Sequence, residues 1–158
     1  MGKLGTLVLT YPKIWKEELT TVAEAGEKAV MTFDAIRFTP AAGSNFAFQI
    51  QIIPVGDQRA TAYDIKAQLV QNGRGELTNS VEGALNIREF KGSNVVAGAF
   101  RVTDKRWINT PPPAGEFKYL TQGVAKLGPL ILSFRLVAND LDVEPLALEL
   151  VKSARIDK

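Results

Sequence analysis

The chain has no cysteine and no histidine among its 158 residues. Without cysteine there is no disulfide, thiol nucleophile, thiolate zinc site or iron-sulfur cluster. Without histidine the usual general base near neutral pH and the commonest metal ligand are gone, and with them the Ser-His-Asp triad and the Cys-His dyad. Long apolar runs are missing too: nothing approaches the roughly 18 residues that would suggest a membrane span. An excess of one charge is also lacking, since 19 lysines and arginines stand against 17 acids and the signs are interspersed. No basic stripe of the kind that binds nucleic acid is present. Repeats, low-complexity tracts and linkers are absent, so one domain is expected over residues 1–158, long enough to bury about two thirds of its unfolded surface. No cofactor is expected, and the compartment stays open. The start, MGKLGTLVLTYPKIW, has Lys3 and a short apolar run with no small-residue cleavage site after it, and reads as strand.

What is there is alternation. In Phe46 to Pro54, FAFQIQIIP, Phe46, Phe48, Ile50 and Ile52 alternate with Ala47, Gln49, Gln51 and Ile53, which predicts a half-buried strand with its polar row toward water. Pro54 closes it and Gly56-Asp57 turns the chain. Thr61 to Gln71 reads as a second such strand, with Tyr63, Ile65, Ala67 and Leu69 on one face. Upstream, Leu4 to Thr10 predicts a first strand. Pro12, Trp15, Leu19 and Val22 predict a short helix ending at Gly26, against a rival extended reading favoured by Thr20, Thr21 and Val22. Ala29 to Phe38 switches phase in mid-strand, as a β-bulge would make it do. Downstream, Leu85 and Ile87, a turn at Lys91 to Asn94, and Val96, Gly98, Phe100 and Val102 predict a hairpin, with Gly98 at a bulge or a close backbone approach. DKRWINTPPPAG, from Asp104 to Gly115, is the longest aperiodic stretch. A short strand then opens at Phe117 and Tyr119, a strong one runs over Leu130 to Leu136, and Val143 to Ile156 fits a strand slightly better than a helix. The sum is an all-β antiparallel β-sandwich with one or two short helices, a jelly roll being among the strand orders the count allows.

Four groups of residues could carry chemistry. Asp34 and Asp64, each inside a predicted strand, are the candidates for a glycosidase carboxylate pair, although the wet face of a sheet explains both more simply. Asn139, Asp140, Asp142 and Glu144 offer oxygens in the manner of a calcium loop, but lack the glycine and the full ligand set, so a solvated turn or helix start is preferred and no metal is expected. No lysine stands within an apolar face, which removes a lysine nucleophile. The aromatic loop is the best candidate: Arg106, Trp107 and Asn109, with Tyr119 beyond the prolines, combine a flat ring with hydrogen-bonding side chains, as glycan-binding and protein-binding surfaces do. The competing reading makes Trp107 a plug beneath the loop. The sequence therefore predicts a non-catalytic binding or interaction module for a glycan or protein ligand. The alternatives are a self-associating assembly subunit that pairs through a sheet edge, a carboxylate enzyme, and a lipid-carrying barrel.

Overall fold

A computed structural model describes residues 5–25 and 30–158, with the backbone alone at 22–25 and 30–32. The architecture is antiparallel β: one sheet of seven strands and one of two, with three short α-helices. In chain order the strands are β1 (Thr6–Val8), β2 (Trp15–Ala25), β3 (Val30–Pro40), β4 (Phe46–Pro54), β5 (Arg88–Lys91), β6 (Val96–Thr103), β7 (Tyr119–Leu127), β8 (Leu130–Ala138) and β9 (Arg155–Asp157). The helices are α1 (Asp57–Ala62), α2 (Ile65–Gly73) and α3 (Val143–Lys152). The large sheet has the order β2-β3-β4-β8-β7-β6-β5, and β1 pairs with β9 in the small one. This is an unequal sandwich of two meanders joined between β4 and β8, not the paired four-stranded sheets of a jelly roll. Among the described residues no helix is long and apolar enough to cross a membrane.

Strand alternation splits the core into two layers. Phe46, Phe48, Ile50 and Ile52 of β4 share a face with Leu130, Leu132, Phe134 and Leu136 of β8, and α3 covers it through Ala147, Leu150 and Val151. Leu7 of β1 and Ile156 of β9 pack on this face too. Fully burying a side chain such as Leu150 contributes about 1.5–3 kcal/mol. The opposite face is covered by Ala60 of α1 and Leu69 of α2 over Phe100, Val102, Leu120, Val124 and Ile131. Two glycines set the spacing. A methyl group at Gly123 would collide with the ring of Phe134, its register partner on β8, so the ring lies where a side chain would be. At Gly98 a methyl group would meet Ile65 at 2.9 Å and Leu69 at 3.1 Å, so α2 approaches β6 closely, as one reading of this glycine expects.

Several elements correct the sequence reading. Thr61 to Gln71 is not a strand but the end of α1 and most of α2, because Ile65 and Leu69, four apart, satisfy the helical and the alternating period alike. Local chemistry decides: Asp64 caps α2 by accepting from the Ala67 N–H at 2.9 Å, and Lys126 of β7 donates to the carbonyls of Thr61 and Tyr63 at 3.2 and 3.3 Å. The helix predicted after Pro12 is β2, so the extended reading prevails, in keeping with its β-branched Thr20, Thr21 and Val22. The bulge expected in β3 is absent from an unbroken register. Buried Ala35 and Phe38 simply lie on opposite faces of a strand covered in part on both. Val143 to Ile156 is α3 followed by the start of β9, since Ala147, Leu150, Val151 and Ala154 are all buried at helical spacing. The first strand is realised at Thr6–Val8, while Leu4, the expected stop at Gly26 and the expected strand start at Ala29 lie outside the described residues.

Candidate functional site

The site builds on the α2 face of the sheet. Gln49 and Gln51 of β4, Gln122 of β7 and Ser133 and Arg135 of β8 form a polar floor, because each alternates with a residue of the opposite, α3-covered face. Helix α2 hangs over this floor and contributes Gln68 and Asn72, one turn apart, whose amides bond at 2.8 Å. Tyr63 closes one side of a cleft of about 510 Å³. Burial raises the Tyr63 hydroxyl above its ordinary pKa, so it stays neutral and able to donate. Gln122 Oε1 is shielded from solvent and accepts no hydrogen bond from the described residues. An unmet buried acceptor costs about 1–3 kcal/mol.

A second hollow of about 360 Å³ continues from the first. The two share Glu76 and Arg135, whose charged groups approach to 4.0 Å, so this pair stands where the two hollows adjoin. The second hollow is charged in both signs, with Asp104, Arg106, Glu116 and Lys118 around Tyr119.

Two of the four residues singled out in the sequence meet there. Tyr119, half-buried, lines the second hollow with Lys118 Nζ 5.3 Å above its ring. Arg106 lines it as well, but its guanidinium is committed: Nη2 lies 2.8 Å from Asp104 and 3.3 Å from Glu116. Its hydrogen bond to Asp104 leads the effects that raise the Arg106 pKa and lower that of Asp104. Trp107 belongs to neither core layer and lies half-buried under the Arg106 guanidinium, 5.1 Å from the ring centroid. Its Nε1 is shielded and donates to none of the described residues. Asn109 is exposed and lines neither hollow. The residues 105–107 form one 3₁₀ turn, which leaves Arg106 exposed at the rim of the second hollow and carries the chain away before Asn109.

The other candidates disperse. Asp34 is exposed on the α3 side of β3, whereas Asp64 caps α2 across the sheet, so they form no carboxylate pair. In the 139–144 stretch, Asn139 Oδ1 accepts from the Lys118 N–H and Asp140 Oδ1 from the Asp142 N–H. Glu144 turns away from both, into the protein. It is 4% exposed and takes Arg88 at 2.6 Å, Arg101 at 3.3 Å and the Thr121 hydroxyl at 2.6 Å. Burial pushes its pKa up, but Thr121 and the two arginines outweigh burial and hold it below the ordinary value. This cluster ties the first turn of α3 to β5, β6 and β7 and leaves no free carboxylate oxygen. Among the described residues no three acidic side chains converge on a cation position.

The amide floor went unread because Gln49 and Gln51 look like an ordinary solvated row until a helix is placed above them. The only local signal is that three of these amides, Gln49, Gln51 and Gln122, lie inside strongly apolar strands. No family model matches the chain, and neither the curated proteins nor the solved structures yield a match.

Proposed function

We propose that this protein is a non-catalytic binding module for a neutral, hydroxyl-rich ligand of the glycan class, held in the amide-lined trough beneath α2. The observation that carries this reading is Gln122 Oε1, a shielded acceptor with no donor among the described residues, set among four further amides. Amides both give and take hydrogen bonds, as each sugar hydroxyl requires, and carry no charge to select an ion. Tyr63 and Tyr119 supply flat apolar faces for the C–H side of a sugar ring. A protein ligand would be better served by apolar anchors. The non-catalytic part rests on the missing histidine and on Glu144, a buried carboxylate on the other face of the sheet already held by two arginines.

The test is a glycan array followed by calorimetry. Gln122→Ala is expected to weaken binding about tenfold, the equivalent of one hydrogen bond to a buried acceptor. Trp107→Ala, which frees the Arg106 guanidinium from the ring beneath it, is expected to weaken binding at the second hollow while the circular dichroism spectrum stays unchanged. Unaltered affinity in Gln122→Ala, or no glycan bound at millimolar concentration, rejects the reading.

A further inference from the structure

The edge of the large sheet at β2 has a pairing pattern that fits itself. β2 runs for 11 residues with β3 as its single neighbour among the described strands. The phase of its hydrogen bonds follows from its first pairs. Ile14 accepts from the Ala41 N–H at 2.9 Å, whereas Pro40, opposite Trp15, has no N–H to give. Even-numbered β2 residues therefore turn their N–H and C=O toward β3, and Glu17, Leu19 and Thr21 turn theirs outward. Leu19 at the centre of this edge is 75% exposed, on the same face as Ile36, its partner on β3. With Leu7, Ile36 and Ile52 it borders an apolar hollow of about 640 Å³ that reaches the sheet edge. A long edge with an exposed leucine is a template for strand addition.

We infer that β2 is a dimerisation edge, pairing antiparallel with β2 of a second copy about a two-fold axis at Leu19. Isologous contact requires self-complementarity. Axes at Glu17 or Glu18 would set two carboxylates opposite each other. An axis at Leu19 sets Leu19 opposite Leu19, Glu18 opposite Thr20 and Glu17 opposite Thr21, so acids face hydroxyls and no like charges stand directly opposite. The outward N–H and C=O of Leu19 then bond to the same groups of the second Leu19, as a hydrogen-bonded antiparallel pair demands. Both leucines lie on one face of a continuous sheet, with the two apolar hollows side by side across the axis. This does not rest on the trough, which lies toward the other face and away from the edge.

The absence of cysteine makes the test clean. In a hydrogen-bonded antiparallel pair the facing Cα atoms are about 5.5 Å apart, within disulfide range. Leu19→Cys should convert mostly to a covalent dimer under mild oxidation, while Glu89→Cys, on the opposite edge strand β5, should not. Native mass spectrometry of the unaltered protein should give twice the chain mass, and Leu19→Lys, which places two ammonium groups at the axis, should raise the dissociation constant at least tenfold. Leu19 is solvent-exposed in the single chain, so this change leaves the core intact. A monomer at 100-micromolar concentration, about a hundred times a micromolar dissociation constant, overturns the proposal. So does equal cross-linking of the Glu89→Cys variant, or capture of an unrelated strand by β2 in place of a second copy.

Discussion

Glu144 shows how one side chain can join elements far apart in sequence. Its carboxylate is 4% exposed and met by Arg88, Arg101 and Thr121 from three different strands. Removing its charge strands two guanidinium groups, but these are about two-fifths exposed and water screens part of the loss. Glu144→Gln is therefore expected to cost about 2 kcal/mol in urea unfolding at neutral pH. The pH dependence has a definite sign. A carboxylate whose pKa is lower in the folded state stabilises fully above its unfolded value of about 4.3, and that stability is lost as pH falls through the folded value. The difference between the parent protein and Glu144→Gln should thus shrink between neutral pH and pH about 3, and an unchanged difference would contradict the assigned contacts. Gln122 should behave in the opposite way. Gln122→Met, which removes the unmet acceptor and keeps the bulk, is expected to leave the ligand-free protein equally stable or up to about 1 kcal/mol more so while weakening ligand binding. Neither role was legible in the sequence. The acid at 144 could be seen as a helix-start residue, but its partners are 23 to 56 residues away.

At the scale of elements, two periods compete and packing decides. The strands at Phe46–Pro54, Val96–Thr103 and Leu130–Ala138 were readable because large apolar residues recur at every second position, as at Phe46, Phe48, Ile50 and Ile52, at Phe100 and Val102, and at Leu130, Leu132, Phe134 and Leu136. α2 was not, because its buried anchors are few and Leu69 fits either period. The cap is what distinguishes them, and Asp64→Ala is expected to cost about 1 kcal/mol, measured by thermal unfolding. Loss of that cap should also loosen the roof of the trough. The glycine contacts give a sharper test of the sheet. Gly123→Ala would drive a methyl group against the Phe134 ring and the Gly98 carbonyl, and should destabilise by about 3 kcal/mol or more. Gly75→Ala, with open space around the added methyl group, is the matched control and should change stability by less than about 0.5 kcal/mol.

For the whole molecule, the antiparallel β class was legible and the strand order was not. Neighbouring hairpins follow from the chain, but the β4-β8 pairing joins strands separated by two helices and three other strands. No local pattern encodes that choice; it follows from two meanders burying their apolar rows under a shared α3. Likewise the trough exists only once β4, β7, β8 and α2 are together, which is why its residues could not be named from one strand at a time. A ligand that binds the assembled trough and not the unfolded chain must stabilise the whole: at a hundred times its dissociation constant the gain is about 2.7 kcal/mol. For a chain of this length that corresponds to a rise in Tm of roughly 5–10 °C. A glycan that binds in calorimetry without moving Tm would be binding the folded and unfolded chain alike, and so not a site that exists only in the assembled fold.

The pairing of β1 with β9 has a consequence for the order in which the molecule can be completed. Thr6, Leu7 and Val8 find their backbone partners in Asp157, Ile156 and Arg155, and the Thr10 N–H donates to Ser153 Oγ. Synthesis runs from the N-terminus, so among the described elements β1 is made first and its ladder partner β9 after all the others, and the earliest of these strands must wait until β9 emerges. During that interval Leu7 and Leu9 have no small sheet to hold them against the core. The small sheet can therefore close only after the elements between β1 and β9 have been made, which sets its formation late in the assembly of the described fold.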